Sequence, residues 1–396
     1  MLKLLNKKNA EELIENFSVE ISSSELNDRP LVSVCIITFN HLLFIEALLD
    51  SVLSQRTEFS IEILIGDDAS TDGSSEIIDR YQRDYPDKIR ILRSTENLFN
   101  RAGNPRLVQI RNFRAARGKY VAMLDGDDFW IDEFKLQKQV NYLESNPTCA
   151  GCFTDCQIVD ADGQIIEPRP FWGNQYQSKY NQQDCISSLT SSYSTATLLW
   201  RKSVISSGIP GYFWMAGSDF LLDIVITEHG TLDYIPEVTA CYRIHDGGIW
   251  QGSVGWSNSL SMIKRLSLLY LDRNLIAKHQ RALDGCFRKW SSIYSQDLSR
   301  EHTPLYESLA HYLTAIILLR PVKKSSVACA ELTTLFRQRW RDNNASSRPL
   351  PKRLYHVFQL FCNFSDVRWL CLTELCISSI SFFKRRFTHI NSHIII

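Results

Sequence analysis

Short apolar runs alternate with segments of helical periodicity along the first third of the chain. Four runs rich in β-branched residues predict strands buried on both faces: LVSVCIITF (31–39), FSIEILIG (59–66), KIRILRS (88–94) and KYVAMLD (119–125). The segments between them predict helices, because apolar residues recur on one face or capping residues precede them: 40–55, 70–85 and 105–117. The alternation predicts a parallel, right-handed, doubly wound α/β sheet of Rossmann-like type.

Two acidic clusters fall where predicted strands end. Asp67 and Asp68 follow the second run, and Asp125, Asp127 and Asp128 follow the fourth. Ligands of doubly wound sheets bind outside the carboxyl ends of the strands. We therefore expect both clusters to line one cleft.

The chain as a whole predicts three parts. Residues 1–29 predict a short amphipathic helix and a polar linker, residues 30–256 the α/β domain, and residues 257–396 a helical region. The formal net charge is zero, but residues 313–396 hold 13 Lys and Arg against 4 Asp and Glu, a surplus of nine. This basic region predicts contact with phosphate or anionic lipid, or else a solvated tail.

Cysteine content and the N-terminus bear on the cellular compartment. Eleven cysteines without an apolar signal segment indicate a reducing environment, so we expect a cytoplasmic protein, with any membrane contact at the inner face of the cell membrane. Cys149, Cys152 and Cys156 lack a fourth zinc ligand at suitable spacing and predict buried thiols. No run reaches the roughly 18 uncharged apolar residues of a membrane span.

The stretch YVAMLDGDDFW (120–130) places three carboxylates directly after a buried run. Such a cluster predicts a hard divalent cation, which takes oxygen ligands from carboxylates, water and substrate phosphates. A solvated loop is the alternative, but Phe129 and Trp130 restrict how far the segment can extend into solvent. The order of residues does not match a calcium loop of the EF-hand type.

Several phosphate-binding and catalytic motifs are absent from the sequence. There is no GxxxxGK[ST] segment, no GxGxxG after the first predicted strand and no HExxH. A bound diphosphate would therefore need the cation together with an arginine. Arg111 in QIRNFRAARGKY is the candidate, and a surface arginine on a basic helix is the alternative.

Five motifs in order give the sequence a family resemblance: VSVCIITFN, ILIGDDASTDGS, RNFRAARGKYVAMLDGDD, GSDF and YRIH. Over residues 31–246 they resemble the family 2 glycosyltransferases of the GT-A fold. The resemblance implies inverting transfer of a sugar from a UDP- or dTDP-linked donor to a hydroxyl, with Mg²⁺ or Mn²⁺. It suggests a glycan or lipid-linked acceptor in surface polysaccharide synthesis, with no nucleic-acid partner.

The resemblance also implies roles for individual residues. Residues matching the nucleotide-sugar site are Thr38, Phe39, Asn40, Asp67, Asp68, Arg111, Asp125 and Gly126, with the Asp67 carboxylate on the base and Arg111 on the diphosphate. Residues matching the metal site are Asp125, Asp127, Asp128 and His245. Asp219 matches the general base, although Ser218 stands where the family usually has Glu and Ile37 where many members have Pro.

Other classes of function remain open. One is a non-catalytic nucleotide-sugar-binding subunit of a glycan assembly complex, which the intact DGDD segment argues against. Another is a nucleotidyltransferase, whose glycine-rich loop would follow the first strand, where this sequence reads TFNHLLF. Inverting transfer needs one carboxylate base, whereas a retaining glycosidase needs two, about 5–5.5 Å apart.

Overall fold

The computed structural model describes residues 7–102, 106–167, 177–188, 193–216, 218–248 and 272–300, with 262, 265–266 and 268–269. The chain divides into two compact units, Leu4–Ser253 and Val254–Ile396 with Met1–Lys3, and each is described by itself. The three-part division predicted above stays a prediction. The basic segment 313–396 lies outside the described residues.

The first unit contains eleven described strands. They are β1 (Ser18–Ile21), β2 (Val32–Thr38), β3 (Ile61–Asp67), β4 (Ile89–Ser94), β5 (Tyr120–Asp125), β6 (Phe129–Trp130), β7 (Cys149–Val159), β8 (Ile165–Glu167), β9 (Lys179–Tyr180), β10 (Leu199–Arg201) and β11 (Thr231–Arg243). Its helices are α1 (Lys7–Asn16), α2 (Ile45–Leu53), α3 (Ser74–Asp84), α4 (Leu98–Ala102), α5 (Leu107–Ala115), α6 (Lys135–Ser145), α7 (Gln182–Ser188), α8 (Gly211–Ala216) and α9 (Asp219–Thr227). A 3₁₀ turn at Thr195–Thr197 precedes β10, and another at Lys202–Ile205 follows it.

All these strands belong to one sheet. Its order is β1-β4-β3-β2-β5-β10-β7-β11-β6, with β8 paired to β7 and β9 to β11. The long ladders β2–β3, β2–β5, β3–β4 and β7–β11 are parallel, and the shorter ones are antiparallel. The predicted α/β architecture with a mainly parallel sheet is confirmed. β2, β3 and β5 are buried almost throughout, as expected of strands covered on both faces.

The prediction for residues 1–29 was incomplete. Helix α1 is present, but Ser18–Ile21 forms strand β1, antiparallel to β4 at the edge of the sheet, just before the predicted linker at 22–30. No strand was predicted there. The four residues SVEI are partly exposed and too few to show an alternating pattern. The short helix α4 was not predicted either.

Helix α5 is fixed closely against β2 and β3. A Cβ at Gly66 would lie 2.5 Å from Val108 Cγ1, so only glycine permits this approach. The Asn112 side-chain amide donates to the carbonyl of Ile36 at 2.8 Å. This packing brings the start of α5, directly after Arg106, to the carboxyl edge of the parallel strands.

Cys149, Cys152 and Cys156 are buried thiols on β7, as predicted. Within the residues that the structure describes, no helix has the length and apolar character needed to cross a membrane. In the second unit, helix α10 (Arg273–Arg300) has a non-helical residue at His279 and buries Leu283 and Phe287.

Candidate functional site

The carboxyl ends of three neighbouring strands form the base of the candidate site. Thr38 ends β2 and is in register with Asp67, which ends β3. On the other side of β2, Ile37 is in register with Asp125, which ends β5. The structure therefore brings both acidic clusters to the same edge of the sheet.

Residues 125–128, here called the acidic turn, pack against the end of β2. The Gly126 amide donates to the carbonyl of Ile37 at 2.9 Å, and the Asp128 amide donates to that of Asp125 at 3.1 Å. A Cβ at Gly126 would lie 2.2 Å from His41 Nδ1, so a larger residue would displace the turn. His41 thus lies directly beside the acidic turn, a position that no sequence motif indicated.

The Asp127 carboxylate and the His245 imidazole form a partly exposed pair in the site. His245 Nε2 lies 3.1 Å from Asp127 Oδ2, and the two side chains are 11% and 21% exposed. The Phe44 ring packs against His245 with ring centroids 4.7 Å apart. The structure thus brings together two of the four residues predicted to bind metal.

Asp125 lies deeper in the site. The Thr195 hydroxyl donates to Asp125 Oδ2 at 2.6 Å. The pKa of Asp125 is raised to about 6: burial is the largest cause, Arg106 opposes it, and like-charge repulsion from Asp127 and Asp219 adds to it. Carboxylates this close favour a cation, because each destabilises the ionised form of the others.

The residues fit a cation that is only partly bound by protein. Within the described ranges, no three His, Cys, Asp or Glu side chains are grouped so that they alone could hold a metal ion. Mg²⁺ commonly takes one or two carboxylates and completes its shell with water and substrate phosphates. Asp127 and His245, with Asp125 behind them, suit that arrangement.

Asp219 occupies the first position of α9. Ser218 precedes it as the N-cap, and its hydroxyl accepts from the Leu221 amide at 3.3 Å. Serine is a favourable N-cap residue, which gives a structural reason for Ser218 where the family usually has Glu. The Asp219 carboxylate remains partly exposed, at 30% of its side chain.

Arg106 connects the two sides of the site, and sequence analysis missed it. Its Nη2 lies 2.8 Å from Asp219 Oδ1 and 3.0 Å from Oδ2, and only the Oδ2 contact has hydrogen-bond geometry. Its charge also acts on Asp125. Its place directly before a helix that leads into an acidic strand was the only available signal.

The position of Arg111 contradicts the predicted diphosphate contact. Its guanidinium donates to the hydroxyls of Ser18 and Ser94 and to the carbonyl of Leu92, on β1 and β4. The side chain is buried, and burial lowers the pKa of Arg111 to about 10. Arg111 joins strands inside the domain and does not reach the acidic turn.

Asp67 also faces the interior, which contradicts its predicted contact with the nucleobase. It has no exposed surface, and its carboxylate accepts from the Ser70 amide, the Ser75 hydroxyl and Arg93 Nε. Asp68 caps α4 by accepting from the amides of Leu98 and Phe99. Its contact with nucleotide stays a prediction.

Phe39 and Asn40 form the exposed rim next to β2. The Phe39 residue is 38% exposed. Asn40 has a φ of 56°, and its side-chain oxygen accepts from the Thr71 amide at 2.8 Å. The rim therefore joins the loops that follow β2 and β3, and the predicted nucleotide contacts of both residues stay predictions.

Asp128 lies beneath the acidic turn, which contradicts a direct place on the metal. Its carboxylate is buried, and Oδ1 accepts from the Arg243 amide at 2.9 Å. Oδ2 is buried without a hydrogen-bond partner among the described residues. Burial, with the charges of Asp127 and Asp125, raises the pKa of Asp128 well above its ordinary value.

The fold is of the GT-A type, as predicted. Among solved structures, residues 1–349 of TarS from S. aureus superpose with a TM-score of 0.54 at 14% identity, covering 78% of this chain and 89% of that one. A likeness at this identity concerns the fold alone.

Residues 33–206 match the family model described as Glycosyl transferase family 2. The match confirms, over this part of the chain, the predicted resemblance to the family 2 glycosyltransferases. The uncharacterized protein Rv1520 of Mycobacterium tuberculosis is 32% identical over 225 residues, 56% of this chain and 61% of that protein. The UDP-Glc:alpha-D-GlcNAc-diphosphoundecaprenol beta-1,3-glucosyltransferase WfaP of Escherichia coli is 35% identical over 115 residues, 29% of this chain and 42% of WfaP. The chain thus spans less than two thirds of the length of these relatives.

Proposed function

We propose that this protein transfers a sugar, with inversion, from a nucleotide-diphosphate donor to a hydroxyl of a glycan or lipid-linked acceptor. The observation that carries the proposal is the convergence of Asp125, Asp127 and His245 on one side and of Asp219 on the other, with Arg106 between them. Such an arrangement would bind a leaving diphosphate and an attacking hydroxyl in one site.

On the donor side, the chain supplies anionic and polar groups. Asp127 and His245 would hold Mg²⁺ or Mn²⁺, with Asp125 close behind. When bound, a divalent cation supplies positive charge that stabilises the departing diphosphate. Thr195 keeps the Asp125 carboxylate in one orientation through its 2.6 Å hydrogen bond.

On the acceptor side, Asp219 is the proposed general base. The acceptor hydroxyl becomes acidic as its oxygen bonds to the anomeric carbon, so a weak base within hydrogen-bond reach is sufficient. Arg106 holds the Asp219 carboxylate by its ion pair of 2.8 Å. We infer that Arg106 positions this base and, lying near Asp125, also favours the negative charge that develops on the leaving group.

The acceptor and the place of action belong to the same proposal. The name of WfaP describes transfer of glucose from UDP-Glc to a sugar on diphosphoundecaprenol, a lipid-linked acceptor. A lipid-linked acceptor would place this protein at the cytoplasmic face of a membrane in surface polysaccharide synthesis. We propose that the basic segment 313–396 contributes to that contact by attracting anionic lipid.

The test compares donor turnover by wild type and by Asp219→Asn. Purified protein is incubated with a panel of UDP-, dTDP- and GDP-sugars, with and without Mn²⁺, and with glycan or lipid-diphosphate acceptors, and released nucleotide is measured. Thermal shift with the same ligands reports binding independently, because a ligand that binds the native state raises its apparent stability. Asp84→Asn, an exposed carboxylate at the end of α3, is the matched control.

We expect cation-dependent turnover in wild type and Asp84→Asn, and a fall of at least about 100-fold in Asp219→Asn with donor binding retained. A wild-type protein that binds nucleotide sugars but turns over none of them, with any acceptor, would favour the non-catalytic binding subunit. Full activity of Asp219→Asn would reject Asp219 as the base.

A further inference from the structure

Arg243 holds the acidic turn from several directions at once. It is the last residue of β11, and its amide donates to Asp128 Oδ1 at 2.9 Å. Its Nε donates to the carbonyl of Asp127 at 2.8 Å. Backbone and side chain of a single residue therefore bind two consecutive members of the turn.

The guanidinium of Arg243 also reaches a second turn. Its Nη1 donates to the carbonyls of Asp160 and Ala161, at 3.2 and 2.7 Å, in the turn between β7 and β8. This turn is itself closed by hydrogen bonds from the amides of Asp162 and Gln164 to Asp160 Oδ1. Arg243 thus ties the acidic turn to a neighbouring turn that has its own fixed shape.

Two aromatic rings restrict the guanidinium further. It lies 4.8 Å from the centroid of Phe44 and 5.1 Å from that of Phe129. The Arg243 residue is only 7% exposed. A planar guanidinium can stack on rings while it donates in its own plane, which an ammonium group cannot do.

The guanidinium of Arg243 binds the backbone of Asp127 and not its carboxylate. Its guanidinium hydrogen bonds go to carbonyl oxygens, of which one belongs to Asp127. The Asp127 carboxylate is therefore left facing His245, which lies two residues after Arg243 on the same chain segment. At the end of β11, Arg243 thus binds the backbone of Asp127, and His245, two residues later, contacts the Asp127 carboxylate.

We propose that Arg243 is a positioning residue that sets the distance and orientation of the Asp127–His245 pair, and through it the cation affinity of the site. The proposal rests on the proposed function, in which that pair holds Mg²⁺ or Mn²⁺. Residues that orient metal ligands typically change metal affinity by about 10- to 100-fold when they are replaced. Arg243 itself touches neither the cation nor the substrate in this scheme.

The experiment uses the full chain and the variant Arg243→Lys, which keeps the charge but loses the planar set of donors. Binding of Mn²⁺ in the presence of UDP is measured by calorimetry. Hydrogen exchange of the Gly126 and Asp128 amides is measured in parallel without metal, because both amides donate within the acidic turn or to β2. Arg90→Lys is the control, since Arg90 is also buried but pairs with Glu62 and Glu20.

We expect Arg243→Lys to bind Mn²⁺ at least about 10-fold more weakly and to exchange the two amides faster, while Arg90→Lys changes neither. Phe129→Leu removes one side of the stack and should give a smaller loss of the same kind, which keeps the proposal testable if Arg243→Lys does not fold. Wild-type affinity and exchange in both Arg243→Lys and Phe129→Leu would overturn it.

Failure of the proposed function would look different. If wild type binds no Mn²⁺ with any nucleotide, the cation site is rejected, and Arg243 is judged by hydrogen exchange alone. Faster exchange at Gly126 and Asp128 in Arg243→Lys would then still support positioning of the turn, and unchanged exchange would reject it.

Discussion

Arg106 and Asp219, 113 positions apart in the chain, form an ion pair of 2.8 Å across the candidate site. The pair joins the residue before α5 to the first residue of α9. Because α5 is fixed on the sheet through Gly66 and Asn112, the proposed base is held relative to the strands that carry the acidic turn.

This pair leads to a prediction that separates Arg106 from Arg111. Arg106→Gln should lower kcat/KM of sugar transfer by about 100-fold, as is typical for loss of a preorganised group that stabilises charge in an active site. Its melting temperature should stay close to that of wild type, because Arg106 is partly exposed. Steady-state transfer and thermal denaturation of the same preparations check both points.

Arg111→Gln is the matched control and should behave in the opposite way. It leaves buried acceptors on Ser18, Ser94 and Leu92 unsatisfied, which costs about 1–3 kcal/mol of stability. Activity per folded molecule should be kept. Loss of transfer in stable Arg111→Gln, with Arg106→Gln unaffected, would restore the assignment predicted from sequence.

Asp127 and Asp128 are adjacent but should respond differently to loss of charge. Asp127→Asn should weaken Mn²⁺-dependent nucleotide binding by at least about 10-fold, because a partly exposed carboxylate next to His245 is lost. Asp128→Asn keeps an oxygen that can accept from the Arg243 amide, so binding should change by no more than about threefold. Calorimetry with UDP and Mn²⁺ measures both, and equal losses would show that Asp128 contributes directly to the cation site.

The sequence predicted the strands and the acidic edge because their signals are local. Buried β-branched runs identify β2 to β5, and parallel order places their carboxyl ends at one edge. The positions of Asp125, Asp127 and Asp219 followed from motifs within a few residues of each.

What could not be predicted depends on contacts between distant segments. Asp67 faces inward because Arg93 of β4 lies beside it, and no local pattern reveals that partner. Sequence analysis named Arg111 and missed Arg106, because the sequence does not show how α5 is rotated on the sheet. The packing of Val108 and Asn112 around Gly66 determines that rotation.

Ala69, in the loop after β3, should be stabilised by a change to glycine. Its φ of 63° lies in the left-handed region, which costs an L-residue other than glycine roughly 1 kcal/mol. Ala69→Gly should therefore raise the free energy of unfolding by a few tenths to about 1 kcal/mol, since greater freedom of the unfolded chain offsets part of the gain. Urea denaturation measures the change.

A second Ala-to-Gly variant controls for the general effect of glycine. Ala47 is exposed in the middle of α2, where glycine costs about 1 kcal/mol. Ala47→Gly should destabilise the protein while Ala69→Gly stabilises it. Destabilisation by both changes would mean that the backbone at Ala69 is not strained.

Lys135 gives the first unit a stability that depends on pH in the alkaline range. The side chain is fully buried, its Nζ donates to Gln139 at 2.7 Å, and it lies 4.5 Å from the Trp130 ring centroid. Burial lowers the pKa of Lys135 to about 7 from its ordinary value of 10.5. Between these values the unfolded chain binds the proton that the folded protein lacks, so stability rises with pH.

The expected gain in unfolding free energy is on the order of 2 kcal/mol between pH 7.5 and about 9.5, from roughly 1.4 kcal/mol per pH unit. Lys135→Met should remove this rise, and urea denaturation at a series of pH values measures it. Lys138→Met, on the exposed face of the same helix, should keep the rise, because ion pairs with Asp132 and Glu237 hold the pKa of Lys138 above its ordinary value. Parallel pH profiles for wild type and Lys135→Met would show that the ammonium group remains charged inside the fold.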